Sequence, residues 1–215
     1  MFYGYDPTYI LVLIGAILCM LASSRVNSTY NKYSRVRCRC GMTGAEAADR
    51  ILRMSGINDV QIQHVSGNLT DHYDPRNKVL RLSDSVYDSM SVAAIGVAAH
   101  ECGHALQHHK GYLPLKLRSA LVPLANLGSK LGLPLVILGL ILGFGFELPG
   151  GGYFSLATIG IWVFSLAVLF QIVTLPVEFN ASGRALKMLG NYGIMREDEE
   201  DDCKRVLGTA ALTFV

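Results

Sequence analysis

Three long apolar stretches dominate the pattern of hydrophobic and polar positions along this 215-residue chain. They cover residues 2–24, 131–148 and 153–177, and none of them contains more than one charged side chain. A helix needs about 20 apolar residues to cross a bilayer, and each stretch is close to that length. The pattern therefore predicts an α-helical integral membrane protein.

The apolar stretches predict two membrane parts. Residues 1–24 are expected to form an uncleaved N-terminal transmembrane helix, because the first seven residues lack the positive charge of a secretory signal; a cleaved signal is the alternative. Residues 123–177 are expected to form a transmembrane hairpin, with a tight turn at residues 148–152. Two core helices of a soluble domain are the alternative, which charge-free runs of this length disfavour.

Residues 25–122 have the mixed polar and apolar pattern of a water-facing part. Thr43 followed by Glu46 is a capping box, which predicts a helix to about Ser55, where Gly56 ends it. Beyond the hairpin, residues 178–215 form a C-terminal region whose acidic residues 196–202 predict a solvated helix start.

Alternating apolar and polar residues predict a short antiparallel sheet in the water-facing part. Its strands are expected at residues 60–65, 69–73 and 78–82. The strand that begins with Leu69, Thr70 and Asp71 is expected at the sheet edge, where an extended substrate peptide would hydrogen-bond to the backbone. A helix capped at Ser83 or Asp84 is expected to follow.

The segment 92–108 carries the chemistry of the chain. It is rich in Ala, Val and Ile without proline, which predicts a buried helix, and it contains His100, Glu101 and His104 as H-E-x-x-H. Two imidazoles one helical turn apart converge on one metal ion, and the glutamate between them reaches a water molecule at that metal. The alternative is a buried helix with two structural histidines, in which the glutamate charge would need a partner.

A zinc site of this kind needs a third protein ligand. His108 lies about 12 Å from His100 along a helix, which is too far for one zinc ion, and His109 fails likewise. Glu178 follows the third apolar stretch and is the only carboxylate between residues 147 and 197. A carboxylate there is costly unless it binds a cation or pairs with Arg184, so metal binding and pairing are the two alternatives.

Composition and charge limit the function further. Hydrophobic residues make up 51% of the chain and charged residues 17%, and the net charge of +2 does not favour nucleic acid as a partner. None of the 19 Lys and Arg residues lies in residues 1–24 or 148–152, so the positive-inside rule predicts a multi-pass protein of the plasma membrane whose H-E-x-x-H motif faces the cytoplasm. Reduced thiols at the five cysteines suit that side.

The order of these features resembles a known group of enzymes. H-E-x-x-H, a membrane hairpin and then E-F-x-A resembles the membrane-embedded gluzincin peptidases of the heat-shock and CAAX-processing kind. The whole chain resembles the bacterial YugP-like family of neutral zinc metallopeptidases (zinc-dependent peptidase family 2). The residues that carry the resemblance are 6–10, 41–44, 69–76, 98–105, 118–123 and 176–182.

The resemblance implies one zinc ion per chain, held by His100, His104 and Glu178, with Glu101 as general base. It also implies a zincin-like cytosolic part over residues 25–122. Two departures stand out. Ser182 occupies the position where related gluzincins usually carry Asp, and the chain stops within residues 206–215, where similar proteins continue into another transmembrane helix.

The expected function is therefore a membrane-embedded zinc metalloprotease that hydrolyses peptide bonds of membrane or membrane-proximal proteins. Its partners would be a protein substrate and the lipid bilayer, and a regulatory membrane partner is left open. Arg184, His72 and Tyr73 are candidates for stabilising the oxyanion. The alternative is a zinc-stabilised membrane scaffold or chaperone without catalysis. A metal transporter is disfavoured because the apolar stretches contain no carboxylate or His except Glu147 and Asp6.

Overall fold

The computed structural model describes residues 8–143, 145–147 and 153–211, which are mostly helical with two small sheets. The helices are α1 Thr8–Tyr33, α2 Gly44–Met54, α3 Val92–His109, α4 Leu113–Leu142, α5 Leu156–Asn191 and α6 Glu197–Ala211. The strands are β1 Gln61–Val65, β2 His72–Asp74, β3 Val79–Ser83, β4 Gly145–Glu147 and β5 Tyr153–Ser155. Backbone contacts divide the chain into two units. The first holds α1 to α3, β1 to β3 and the chain from Glu178 through α6; Gly111–Val177 form the second.

Helix α3 is the centre of the first unit's core. Most of its Ala, Val and Ile side chains are buried against residues of α2, β3 and the C-terminal part of α5, including Ile51, Leu80 and Leu189, none of which is exposed. Full burial of such side chains stabilises a fold by roughly 1.5–3 kcal/mol each. The predicted helix α2 is confirmed with its capping box, since Thr43 and Glu46 exchange hydrogen bonds of 3.2 and 2.8 Å.

The predicted antiparallel sheet is wrong in one pairing. The strand order is β1-β3-β2, with β1 parallel to β3 and β2 antiparallel to β3. After β1 the chain crosses to the far edge, forms β2, and returns as β3 between the two. The crossover through residues 66–78 is what makes the first pair parallel, and alternation along a strand carries no information on the direction of its neighbour.

The edge strand is shorter than predicted, and the helix predicted after Ser83 is absent. Leu69 has a φ of 55°, which a strand does not accommodate, so Leu69, Thr70 and Asp71 lie in an irregular loop and only residues 72–74 form β2. Asp84 does not cap a helix, because its carboxylate accepts a hydrogen bond from the Gly67 N–H at 2.8 Å. Residues 84–88 form turns instead.

The second unit contains α4 and the first part of α5. Glycines of α4 bring the two helices into backbone contact: a methyl group at Gly128 would lie 2.7 Å from the Val163 carbonyl oxygen. Such small-residue contacts are common between membrane helices. Helix α4 ends at Leu142 and is capped by Gly143, which has a φ of 61°, and the β4–β5 pair follows. The predicted turn at residues 148–152 lies outside the described residues.

Two helices among the described residues are long and apolar enough to cross a membrane, α4 and α5. Only 17% of the residues in the apolar window of α4 and 11% of those in the window of α5 are buried. The predicted N-terminal transmembrane helix lies partly outside the described residues. Helix α1 continues past residue 24, because Tyr30 and Tyr33 are buried against Val206 of α6.

Candidate metal centre

Two helices bring three potential metal ligands together inside the first unit. Helix α3 presents His100 and His104 from consecutive turns, and α5 presents Glu178. The His100 Nε2 atom lies 3.1 Å from Glu178 Oε2 and 3.2 Å from His104 Nε2, and the third distance, from His104 Nε2 to Glu178 Oε2, is 3.3 Å. The Glu178 side chain is only 3% exposed. The two imidazole nitrogens and the carboxylate oxygen thus converge on one buried point.

The dimensions of this cluster suit a zinc ion. Zinc binds imidazole nitrogen and carboxylate oxygen at about 2.0–2.1 Å with tetrahedral geometry, so neighbouring ligand atoms lie about 3.3 Å apart. The three observed distances of 3.1, 3.2 and 3.3 Å match one face of that tetrahedron. Two histidines and a glutamate are also a donor set of catalytic zinc sites that leave one position open for water. The residues present therefore fit the metal.

The His104 ring is oriented by a chain of hydrogen bonds. Arg184 Nε donates to Asn180 Oδ1 at 2.7 Å, and Gln107 Nε2 donates to the same oxygen at 3.0 Å. Gln107 therefore turns its carbonyl oxygen to His104, 3.1 Å from Nδ1. Because that oxygen only accepts, His104 carries its proton on Nδ1 and directs the Nε2 lone pair at the cluster.

Ser182 plays the corresponding part for the other histidine. Its hydroxyl oxygen lies 3.1 Å from His100 Nδ1, and Ser182 is buried. The contact is made here by a neutral hydroxyl and not by a carboxylate. Gln107 lies three residues from His104 and Ser182 four residues from Glu178 on the same helix, the spacing that could have marked them in the sequence, whereas Asn180 lies only two residues from Glu178.

Glu101 lies beside the cluster and is held by the sheet. Its Oε2 atom accepts a hydrogen bond of 2.9 Å from the backbone N–H of Tyr73, and the residue is buried. Tyr73 is the middle residue of β2, whose outer side has no strand partner among the described residues, so its N–H is directed away from β3. Among the described residues, the other carboxylate oxygen of Glu101 accepts no hydrogen bond.

A cavity of about 240 Å³ adjoins the cluster. Its walls contain His100, Glu101 and Glu178 together with Leu69 and Asp71, and its other lining residues are Val26, Tyr30, Val97, Val206, Leu207 and Ala210. Burial raises the pKa of the Asp71 carboxyl, although Ser83 opposes this with hydrogen bonds of 2.7 and 2.8 Å. Apart from the cluster and Asp71, the cavity is largely apolar.

The helices that carry the ligands touch through their backbones. A methyl group at Gly103 would lie 2.5 Å from the Ala181 carbonyl oxygen, closer than real contacts allow. Only glycine fits at this crossing of α3 and α5. Gly103 precedes His104, and Ala181 lies between Asn180 and Ser182, so the contact sets the distance between the two sides of the cluster.

The side chains of the three candidate oxyanion residues do not line the cavity. Arg184 bonds Asn180, and His72 Nδ1 lies 2.9 Å from the Thr70 carbonyl oxygen with its Nε2 3.2 Å from an Arg81 nitrogen. The Tyr73 hydroxyl lies 2.9 Å from His108 Nδ1, and burial raises the pKa of Tyr73 to about 12. None of the three candidate oxyanion side chains is among the described residues that line the cavity.

Residues 8–215 match the family described as "Putative neutral zinc metallopeptidase". The chain is 45% identical over 208 residues to a protein of Bacillus subtilis (strain 168) called "Putative membrane protease YugP", covering 96% of this chain and 88% of that protein. No solved structure matches. The chain therefore belongs to this family of zinc metallopeptidases.

Proposed function

We propose that the protein is a zinc-dependent, membrane-embedded protease that cleaves peptide bonds in membrane or membrane-proximal proteins. The single observation that carries the proposal is the convergence of His100 Nε2, His104 Nε2 and Glu178 Oε2 at the spacing of a tetrahedral zinc face, with Glu101 beside it. A purely structural zinc site does not need this extra carboxylate, whereas a hydrolase does.

The residues divide the work of hydrolysis as follows. His100, His104 and Glu178 would hold the metal, which would supply Lewis-acid activation of a water molecule and of the scissile carbonyl. Glu101 accepts one proton as the water oxygen bonds to the carbonyl carbon. It then delivers that proton to the leaving nitrogen as the carbon–nitrogen bond breaks. The Tyr73 N–H holds one Glu101 oxygen and thereby aims the other at the reacting water.

The substrate would enter through the apolar cavity. Leu69 and Asp71 line it from the irregular loop before β2, so they would contact substrate as part of a wall and not as an edge strand. The exposed apolar surfaces of α4 and α5 and the relative's name support a membrane setting for the substrate. The absence of Lys and Arg from residues 1–24 and 148–152 supports a cytoplasmic site in a multi-pass protein of the plasma membrane.

The deciding experiment measures zinc content and cleavage in the same preparations. The full chain is purified in a mild detergent as wild type, Glu101→Gln and Glu178→Ala. Each is incubated with β-casein and with a single-span reporter protein that carries a long cytoplasmic tail. Glu101→Gln should keep one zinc per chain and lose cleavage by about 10²–10⁴-fold, because the general base is gone. Glu178→Ala should lose both zinc and cleavage.

Two results would contradict the proposal. Unchanged cleavage by Glu101→Gln would exclude this glutamate as the base. Retention of zinc by Glu178→Ala would exclude Glu178 as the third zinc ligand. A wild type that binds zinc and cleaves neither probe nor any co-reconstituted membrane protein would instead support the rival function, a zinc-stabilised membrane scaffold or chaperone.

A further inference from the structure

A second depression lies between α1 and α6. It measures about 450 Å³. It is lined by the cationic residues Arg25, Lys32 and Arg205, by the hydroxyl residues Ser28, Thr29, Tyr33 and Thr209, and by Gly208. We call it the α1–α6 groove. It shares no lining residue with the metal cavity, although both sites use the same two helices.

The cations of the groove form no ion pair with any carboxylate that the structure describes. Among the residues that the structure describes, no carboxylate lies within ion-pair distance of Arg25, Lys32 or Arg205, and no carboxylate lines the groove. Asp201 and Asp202 act on Arg205 only from further away. Three positive charges around one depression attract an anion.

Tyr33 holds two of these cations near each other. Arg205 Nη1 donates a hydrogen bond of 3.5 Å to the Tyr33 hydroxyl. The Lys32 Nζ atom lies 5.0 Å from the centre of the Tyr33 ring, within the range of a cation–π contact. Because Tyr33 is itself buried against α6, the two charges are anchored to the helix pair before any ligand arrives.

The sequence of α1 identifies the kind of anion. Before the groove, α1 is apolar and exposed, with Leu13, Leu18 and Leu21 each about 60% exposed. The cations begin at Arg25, one turn after Leu21, and continue to Lys32, about 10 Å further along the axis. A bilayer has the same order, an apolar core followed by a headgroup layer.

We propose that the α1–α6 groove binds the phosphate of an anionic phospholipid, whose acyl chains lie along the exposed apolar turns of α1. The hydroxyls of Ser28, Thr29 and Tyr33 can donate to phosphate oxygens, as the cations can, whereas the Thr209 hydroxyl donates to the backbone carbonyls of Arg205 and Val206. The lipid is a bound ligand and not a substrate, because Val26 and Tyr30 face the metal cavity while Arg25 and Thr29 face the groove. The proposal requires membrane association and does not depend on zinc or proteolysis.

The test uses native mass spectrometry on the full chain in a neutral detergent. Short-chain dihexanoyl phosphatidylglycerol, dihexanoyl phosphatidylcholine and inorganic phosphate are titrated separately. The groove variant carries Arg25→Gln, Lys32→Gln and Arg205→Gln. The matched control carries Arg35→Gln, Lys187→Gln and Lys204→Gln, three exposed cations that do not line the groove, so both variants lose the same charge.

The wild type and the control should bind phosphatidylglycerol, and the groove variant should bind it roughly 100-fold more weakly. Phosphatidylcholine should bind weakly to all three proteins. Gly208→Glu keeps every cation, and a Cβ atom at Gly208 meets no atom within 4 Å, so this variant should fold normally and also lose the lipid through its added carboxylate. The zinc content of each variant reports its integrity.

Three results would overturn the proposal. Equal loss of binding in the groove variant and the control would show that net charge alone attracts the lipid. Phosphatidylcholine bound as tightly as phosphatidylglycerol would remove the role of the anion. Inorganic phosphate bound as tightly as the lipid would identify a site for free anions. The same titrations are repeated on Glu101→Gln, which should lack proteolysis. Lipid binding by this variant is therefore tested independently of the protease assignment.

Discussion

The Ser182 hydroxyl oxygen lies 3.1 Å from Nδ1 of His100, on the side of the ring opposite the metal cluster. Hydrogen-bond partners in this position usually fix the ring and tune the metal, and carboxylates are common there. Here the partner is neutral. The site therefore carries one negative charge fewer than it would with Asp at this position, and the only carboxylate among the three clustered ligands is Glu178.

Removing the Ser182 hydroxyl should weaken zinc binding. Ser182→Ala leaves His100 Nδ1 without this partner, and we expect about tenfold weaker binding in a competition titration against a chelator. Ser182→Asp should bind zinc more tightly than Ser182→Ala, because a carboxylate accepts the same hydrogen bond and adds negative charge. Ser165→Ala is the control, since it removes a hydroxyl of α5 that bonds only its own helix backbone at Ile161. Equal affinity in Ser182→Ala and wild type would contradict the role given to this contact.

Removing the Gln107 side-chain oxygen should weaken zinc binding through the His104 ring. Gln107→Met keeps the volume and removes the oxygen that accepts from His104 Nδ1, so we expect zinc affinity to fall by about 10–100-fold in the same titration. Gln107→Glu restores an acceptor and should recover most of the affinity. If Gln107→Met binds zinc like the wild type, the ring is oriented by other contacts.

The helix crossing should not tolerate a methyl group at Gly103. Gly103→Ala places a carbon 2.5 Å from the Ala181 carbonyl oxygen, so α3 and α5 must separate. We expect the free energy of unfolding to fall by about 1–3 kcal/mol and zinc binding to weaken, measured by thermal denaturation and chelator competition.

Gly183→Ala provides the control for that substitution. Gly183 lies on α5 two residues from Ala181, and a methyl group there meets nothing within 4 Å. This variant should be unchanged or more stable by about 0.5–1 kcal/mol, because alanine favours a helix. Similar behaviour of the two variants would show that the crossing is not tight.

Asp74 should stabilise the fold in a way that depends on pH. The Asn77 side chain, with smaller contributions from backbone N–H groups and Arg81, lowers the pKa of Asp74 to about 2 from the ordinary value of 3.8. A carboxyl whose pKa is lower in the folded state contributes its full stabilisation above pH 3.8 and loses it as the pH falls towards 2. The melting temperatures of zinc-free wild type and Asp74→Asn should therefore differ by a constant amount above pH 5 and converge between pH 4 and 2. A difference that stays constant to pH 2 would contradict this.

Local sequence signals predicted the elements whose causes are themselves local. The Thr43 and Glu46 capping box specified the start of α2, and Ala, Val and Ile around His100 specified a buried α3. Glu178 could be singled out because a carboxylate beside an apolar helix needs a cation, and the fold places it 3.1 Å from His100. In each case the physical reason lies within a few residues of the position.

Features that depend on distant partners could not be predicted in this way. The alternation in β1 and β3 does not show that the two strands run parallel, since this depends on the route of residues 66–78. The residue type of Asp84 favours a helix cap, but its carboxylate instead accepts a hydrogen bond from the distant Gly67 N–H. Arg184 was expected near the substrate, whereas it bonds Asn180, a contact with the chain supporting His104 that only the packing of α5 on α3 creates.

The hydrogen bond from the Tyr73 amide ties Glu101, the proposed base, to the main chain and not to another side chain. No ordinary side-chain substitution removes that amide, so this tether is preserved through sequence drift at position 73 except by proline. Through this hydrogen bond the small sheet also fixes the position of the proposed base. Loosening three residues of β2 would misdirect the proton acceptor while both imidazoles stay on an intact helix, so warming should abolish turnover before it releases the metal.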